Sequence, residues 1–97
     1  MKKPLSFTEK VYAVVQRIPR GSVMTYAAVA QKIGNPKAVR AVGNALNKNT
    51  NKDVPCHRVV RSDGTLGGYN KGVKAKELLL RKEGVFTKTP RVQLPRE

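Results

Sequence analysis

The sequence predicts a mainly α fold with a small β wing, a single domain of the winged helix-turn-helix kind. Three observations lead there. Apolar residues recur at helical spacing in four stretches. Capping residues and glycine stops bracket those stretches. Between the third and fourth lies a short apolar run, then a tight turn and a glycine pair. At 97 residues the chain has room for one core. The domain is expected over residues 1–85. Residues 86–97, with Pro90, Pro95 and several cations, are expected to form a poorly ordered basic tail.

Each element has a local cause. Ser6-Phe7-Thr8-Glu9 reads as a capping box: the Ser6 hydroxyl accepts the Glu9 amide and the Glu9 carboxylate reaches back. Phe7, Val11, Val14, Val15 and Ile18 follow, so the first helix should span about 7–18, closed by Pro19-Arg20-Gly21. Thr25 can cap a second helix over about 26–33, with Ala27, Val29, Ala30 and Ile33, and Gly34 supplies its left-handed stop. Asn35 as cap and Pro36 at the first helical position would open a third helix, about 36–47, with Ala38, Val42, Ala45 and Leu46 inward. Two short helices joined by a glycine-containing turn read as a helix-turn-helix. The stretch 49–53 is polar and turn-rich. Ser62-Asp63-Gly64 marks a tight turn, so 58–69 is read as a short hairpin, the wing. Val73, Ala75, Leu78, Leu79 and Leu80 form the apolar residues of a last helix, about 73–82, ended by Gly84.

Charge narrows the partners. Lys and Arg total 20 against 6 for Asp and Glu, a net charge of +14. An excess of that size is the electrostatic footprint of nucleic-acid binding, the bland alternative being a solvated cationic surface. The third helix concentrates it, with Lys37, Arg40 and Lys48 beside Asn44 and Asn47. Such side chains suit phosphates and base edges. Aromatic residues are too few for an open stacking platform on single strands. No apolar run approaches the roughly 20 residues of a membrane helix. Met1-Lys2-Lys3-Pro4 lacks a secretory apolar stretch, so an intracellular place, cytoplasmic or nucleoid-associated, is expected. One cysteine excludes an internal disulfide. One Cys and one His cannot supply the four ligands of structural zinc, so no metal is expected.

The remaining chemistry gathers at Cys56. A lone cysteine is most often a small buried hydrophobe. This one stands between Pro55 and His57-Arg58. An imidazole close by can take the thiol proton, directly or through a water, and positive surroundings should lower the thiol pKa. In a regular strand, however, consecutive side chains face opposite ways. A Cys56–His57 relay therefore needs a bend at Pro55-Cys56 or a bridging water. An orienting carboxylate could be Glu9, Asp53, Asp63, Glu77, Glu83 or Glu97, and the residues alone do not choose.

Pro55-Cys56-His57-Arg58-Val59-Val60 resembles the active-site motif of the O6-alkylguanine-DNA alkyltransferases, the methylated-DNA–protein-cysteine methyltransferase family. Four other segments resemble that family in the same order. They are Gly21 to Tyr26, Gly34 to Gly43, Gly67-Gly68-Tyr69, and Lys76-Glu77-Leu78-Leu79 through Glu83-Gly84. Coverage is about residues 5–85, and five ordered segments are far more specific than a Cys-His pair. The resemblance implies repair of guanines alkylated at O6, without cofactor, by a monomer that binds duplex DNA in the minor groove and flips the damaged nucleotide. By the same resemblance Cys56 is the nucleophile, alkylated irreversibly, and His57 deprotonates it through a water. Glu83 orients the histidine and Asn49 supports the nucleophile's turn. Tyr26 helps rotate the nucleotide and can protonate the leaving guanine, and Arg40 fills the vacated stack. Lys37, Ala38, Asn44 and Lys48 join Arg40 and Tyr26 as expected DNA contacts. Val59, Gly67, Gly68, Tyr69, Asn70 and Lys76 are the expected pocket, with Asn70 where a serine is common. Many members carry a further N-terminal domain, whereas this chain starts at the DNA-binding one. Single-domain alkyltransferase-like relatives bind alkylated DNA without repairing it and replace the cysteine, often by tryptophan. The cysteine at 56 therefore favours transfer over lesion sensing, and no clear dimer face favours a sequence-specific regulator.

Overall fold

Among the described residues four helices form where the apolar spacing places them: α1 (Phe7–Gln16), α2 (Tyr26–Lys32), α3 (Val39–Asn47) and α4 (Val73–Lys82). The computed structural model describes residues 5–69 and 71–85, together with the backbone of 87–88 and 91–92. The expected class holds, mainly α with two small two-stranded sheets among the described residues.

The capping box at α1 is formed in full: Glu9 N donates to Ser6 Oγ at 3.1 Å and Ser6 N to Glu9 Oε1 at 3.0 Å. The helix stops two residues earlier than its apolar pattern. Arg17 and Ile18 bond the carbonyls of Val14 and Val15, a tighter turn that delivers Ile18 into the core before Pro19. Thr25 caps α2 through its hydroxyl, which accepts Ala28 N at 3.0 Å.

The start of α3 differs from expectation. Asn35 does not cap it. The Asn35 amide bonds Ala30 O, closing α2 behind the left-handed Gly34 (φ +82°), so Asn35 belongs to the stop and not to the next start. Residues 36–38 turn the chain, and α3 begins at Val39 behind Ala38, which makes no side-chain cap bond.

The wing also differs. Residues 58–69 do not fold back as a hairpin. Val59–Val60 (β2) instead pairs in parallel with Met24–Thr25 (β1), in the register Met24 to Val59 and Thr25 to Val60. The cause is burial on both faces. Consecutive strand side chains point to opposite sides. Val59 enters a core made by α1, α2 and α3 (Val11, Val15, Val29, Ala30, Val42, Leu46), while Val60 enters a second core with Val23, Leu66, Leu80 and Val85. A strand wedged between two cores pairs with what shares that interior. Residues 61–65 then close a turn, Arg61 N to Thr65 O and Gly64 N to Arg61 O, each 2.9 Å.

The inward face of α4 is the third difference. Val73 and Leu78 stand 47% and 56% exposed, whereas Lys76, Glu77 and Leu80 are buried. Lys76 and Leu80 are one turn apart, so the stripe facing the protein carries a cation within it. Within 86–97, Thr87–Lys88 (β3) and Arg91–Val92 (β4) pair antiparallel. The remaining residues of that stretch, and Asn70, lie outside the described ones. Among the described residues no helix is long and apolar enough to cross a membrane.

Candidate active site and nucleic-acid interface

Pro55 leaves the polar loop after α3 with ψ 70°, and the chain enters a single 3-10 turn, Cys56–Arg58, that leads directly into β2. This is the bend that a Cys56–His57 pairing needs. Cys56 sits at the rim of the first core, 9% exposed. Its sulfur accepts a hydrogen bond from Asn49 Nδ2 at 3.1 Å, and the thiol donates toward Leu46 O at 3.7 Å. The Asn49 amide also spans its own loop, donating to Asn51 O at 2.9 Å and accepting Asn51 N at 3.1 Å. Positive surroundings do not win at this thiol. Burial pushes its pKa up, against the smaller lowering effects of the Asn49 bond and the Lys76 charge.

Lys76 reaches the same place from α4. It is fully buried, and its ammonium donates to Gly68 O at 3.2 Å and to the Tyr26 hydroxyl at 3.4 Å, lying 5.6 Å from the centre of the Tyr26 ring. Burial pulls its pKa down to about 8, with the Cys56 thiolate acting in the opposite sense and Arg61 adding to the fall. Tyr26 is the first residue of α2, set by the Thr25 cap. Burial raises its phenol above the ordinary range, Arg61 opposing.

Cys56 and Tyr26 line a cleft of about 560 Å³, and the buried Lys76 stands behind its wall, bonded to Tyr26 and Gly68. Its walls include Tyr26, Arg40 and Asn44 of the helix pair, Gly68 and Tyr69 of the loop before α4, and Cys56 at the base. A second cavity of about 390 Å³ lies behind the thiol, bordered by Asn49, His57, Lys52 and Lys71. Cys56 and Tyr69 border both. Six expected residues thus share one opening, and Gly67 supports it from behind Tyr26. Others stand apart. Lys37 and Lys48 are exposed at the two ends of α3, and Ala38 is half-buried at its N-cap. Val59 does not line the cleft; it is fully buried in the core. His57 and Asn49 border the cavity behind the thiol, not the cleft, and Glu83 lines neither but meets His57.

Glu83 is the carboxylate that meets the histidine. It is the C-cap residue of α4, and its Oε2 lies 2.8 Å from His57 Nε2. Arg58 Nε and Nη2 reach Oε1 and Oε2 at 2.8 and 2.9 Å. That fork is the main cause holding the Glu83 carboxyl down at about 2, the His57 bond adding to it and burial opposing. The His57 ring meets Tyr69 edge-on, with centroids 6.5 Å apart. Arg58 was visible in the sequence only as another cation, as was Arg61, which lines the cleft. A signal for Arg58 existed: an interior acid beside a histidine calls for a counter-charge, and Arg58 directly follows His57.

Comparison with known proteins bears on this arrangement. Residues 6–85 match the family described as 6-O-methylguanine DNA methyltransferase, DNA binding domain. The methylated-DNA–protein-cysteine methyltransferase of Methanosarcina acetivorans is 48% identical over 79 residues, covering 80% of this chain and 51% of that protein. The bifunctional transcriptional activator/DNA repair enzyme Ada of Escherichia coli is also 48% identical over 79 residues, but only 22% of its length is covered. The chain therefore spans about half, or less, of these curated relatives. Among solved structures, Mycobacterium tuberculosis OGT in complex with DNA superposes with a TM-score of 0.79 at 38% identity, over 84% of this chain and 51% of that one. S. pombe Atl1 in complex with damaged DNA containing O6-carboxymethylguanine gives 0.79 at 33% identity, over 97% and 93%. A match running from the α1 cap to the end of α4 takes in both the helix pair and the cysteine turn, and it makes this chain a member of the 6-O-methylguanine DNA methyltransferase DNA-binding domain family.

Proposed function

We propose that the chain repairs O6-alkylated guanine in duplex DNA by moving the alkyl carbon onto Cys56, once per molecule. One observation carries the reading: the sole thiol opens into the cleft that also exposes Arg40 and Asn44 of α3, so a nucleotide leaving a duplex held by that helix enters beside the sulfur. A base inside the stack is out of reach, and extruding it costs a few kcal/mol. Arg40, exposed on α3, is suited to fill the gap. Approach through the minor groove, with Lys37, Ala38 and Lys48 flanking, fits the helix's two basic ends.

The transfer balances without a cofactor. His57 takes the thiol proton through a water. The thiolate forms a bond to the alkyl carbon as the carbon–O6 bond breaks, and the bonding pair leaves on guanine. Tyr26 gives guanine a proton and Lys76 resupplies Tyr26 along their hydrogen bond. Asn49 steadies the sulfur, Gly67, Gly68 and Tyr69 shape the pocket, and Val59 supports it from the core. The thioether has no leaving path back, so the protein is consumed. It works as a monomer inside the cell.

A second reading, a lesion-binding protein without transfer, is favoured by the match to S. pombe Atl1 over nearly the full length of both chains. Intact-mass spectrometry separates the two. After incubation with a duplex bearing O6-methylguanine, the protein should gain one methylene, and Cys56→Ser should gain none. Tight binding of that duplex with an unchanged protein mass would establish the second reading and end the first.

A further inference from the structure

The Cys56 relay contains a contact that the proposed chemistry does not use. Glu83 sits at the C-terminal end of α4, where the helix's own carbonyls make a carboxylate unwelcome. A single bond to the His57 ring would leave that carboxylate free to rotate. Arg58 prevents both problems. Its Nε and Nη2 donate to the two Glu83 oxygens at 2.8 and 2.9 Å, while Nη1 donates to Ile18 O at 2.7 Å in the turn after α1. The guanidinium is thereby pinned to a third segment, and the carboxylate is pinned to the guanidinium.

A consequence follows for the ring. An ionised carboxylate only accepts hydrogen bonds, so His57 Nε2, 2.8 Å from Oε2, must carry the ring proton. The neutral ring has one proton, so Nδ1 is the bare nitrogen and the only one able to receive another. We propose that Arg58 is a positioning residue: by gripping both oxygens of Glu83 it fixes His57 as the Nε2–H tautomer and reserves Nδ1 for the proton leaving Cys56. The other groups that face the ring impose no such order. Tyr69 meets it edge-on, and Lys52 and Lys71 border its cavity from exposed positions. The kinetic consequence rests on the alkyl-transfer reading; the tautomer does not.

His57 is the chain's only histidine, so its ring nitrogens are unambiguous in a ¹⁵N spectrum. At pH 8, without DNA, the parent should show one protonated Nε2 and one bare Nδ1. Arg58→Gln should show averaging of the two tautomers. Arg58→Lys keeps the charge but cannot span two oxygens, and it should average as well. In both variants single-turnover methyl transfer should slow at least about tenfold while affinity for the lesion duplex stays within about twofold. A parent ring already averaged, or protonated at Nδ1, overturns the proposal without any variant. An Arg58→Gln or Arg58→Lys ring that keeps the parent pattern overturns it too. If the tautomers behave as stated and no protein transfers methyl, the alkyl-transfer reading falls and the positioning role stands.

Discussion

Asn49 holds the sulfur of Cys56 from seven residues away, Nδ2 to Sγ 3.1 Å, while the same amide spans its own loop to Asn51. The bond acts on the thiol in two ways. It lowers the cost of the thiolate in a buried setting, and it fixes where the 3-10 turn begins. Asn49→Ala removes the donor and leaves buried polar groups unmatched, which should cost about 1–3 kcal/mol in urea melts. The thiol pKa, already raised by burial, should rise further. Cys56 is the sole thiol, so its alkylation by iodoacetamide gives a clean pH–rate curve. The curve of the variant should lie at higher pH, and superimposable curves would rule out Asn49 as a thiolate donor.

Gly67 gives a steric test of the cleft wall. Its φ is +75°, and a Cβ there would stand 3.1 Å from both Cε2 and the hydroxyl oxygen of Tyr26. Tyr26 is capped into α2 and tied to Lys76, so it cannot yield cheaply. Gly67→Ala should lose roughly 1–3 kcal/mol, from left-handed strain and crowding together. Gly68 next door has open space at its Cβ and no positive φ. Gly68→Ala should therefore melt within about 0.5 kcal/mol of the parent. Equal losses for the two would mean that the wall is soft.

The helices were legible because each has a local cause that acts over three or four residues. Ser6, Thr25 and Gly34 perform the roles their residue types suggest. At the start of α3 two such roles fall on one residue. Asn35 is a good cap and also a good final residue for α2; its N–H closes α2 on Ala30 O and its carbonyl accepts Ala38 N, so 35–38 form a turn and the helix starts only after it. The hairpin was misread because Val59 and Val60 are each buried in a different core, a fact that depends on Leu80 and Val85 far along the chain. The α4 face was misread because a buried lysine runs against polarity; Lys76 is tolerated by Gly68 O, Tyr26 and the thiol it faces. At the site, the residues alone left a bend at Pro55-Cys56 and a bridging water as alternatives, and the fold supplies the bend. The choice of Glu83 among six acids needed either a family resemblance or the fold.

Lys76 should leave a signature in stability. Its folded pKa is about 8 against an ordinary 10.5. Below the lower value both states are protonated and the folded state bears the full burial cost. Between the two values the unfolded chain binds more protons, so stability rises with pH. Above the upper value the penalty is gone. In a Cys56→Ser background, which removes the opposing titration of the thiol, the chain should gain on the order of 3 kcal/mol from pH 7 to 10.5 relative to the same chain carrying Lys76→Met. Parallel stability curves for the two proteins would mean that burial does not lower the Lys76 pKa in the fold.

Arg40, Lys37 and Lys48 all belong to the α3 region, but only Arg40 lines the cleft. The difference separates two kinds of work. A side chain that neutralises a phosphate contributes counterion release, so its loss lowers the salt slope of binding by about one and weakens all duplexes alike. Lys37→Ala and Lys48→Ala should each behave so, with transfer from bound complexes unchanged. A side chain that fills the stack acts after binding. Arg40→Ala should slow transfer of an alkyl group from duplex DNA much more than it weakens attachment. The same variant should act at near the parent rate on the free base O6-methylguanine, which needs no flipping. Loss of activity on the free base would move Arg40 from the stack to the pocket; an unchanged rate on duplex DNA would remove it from both.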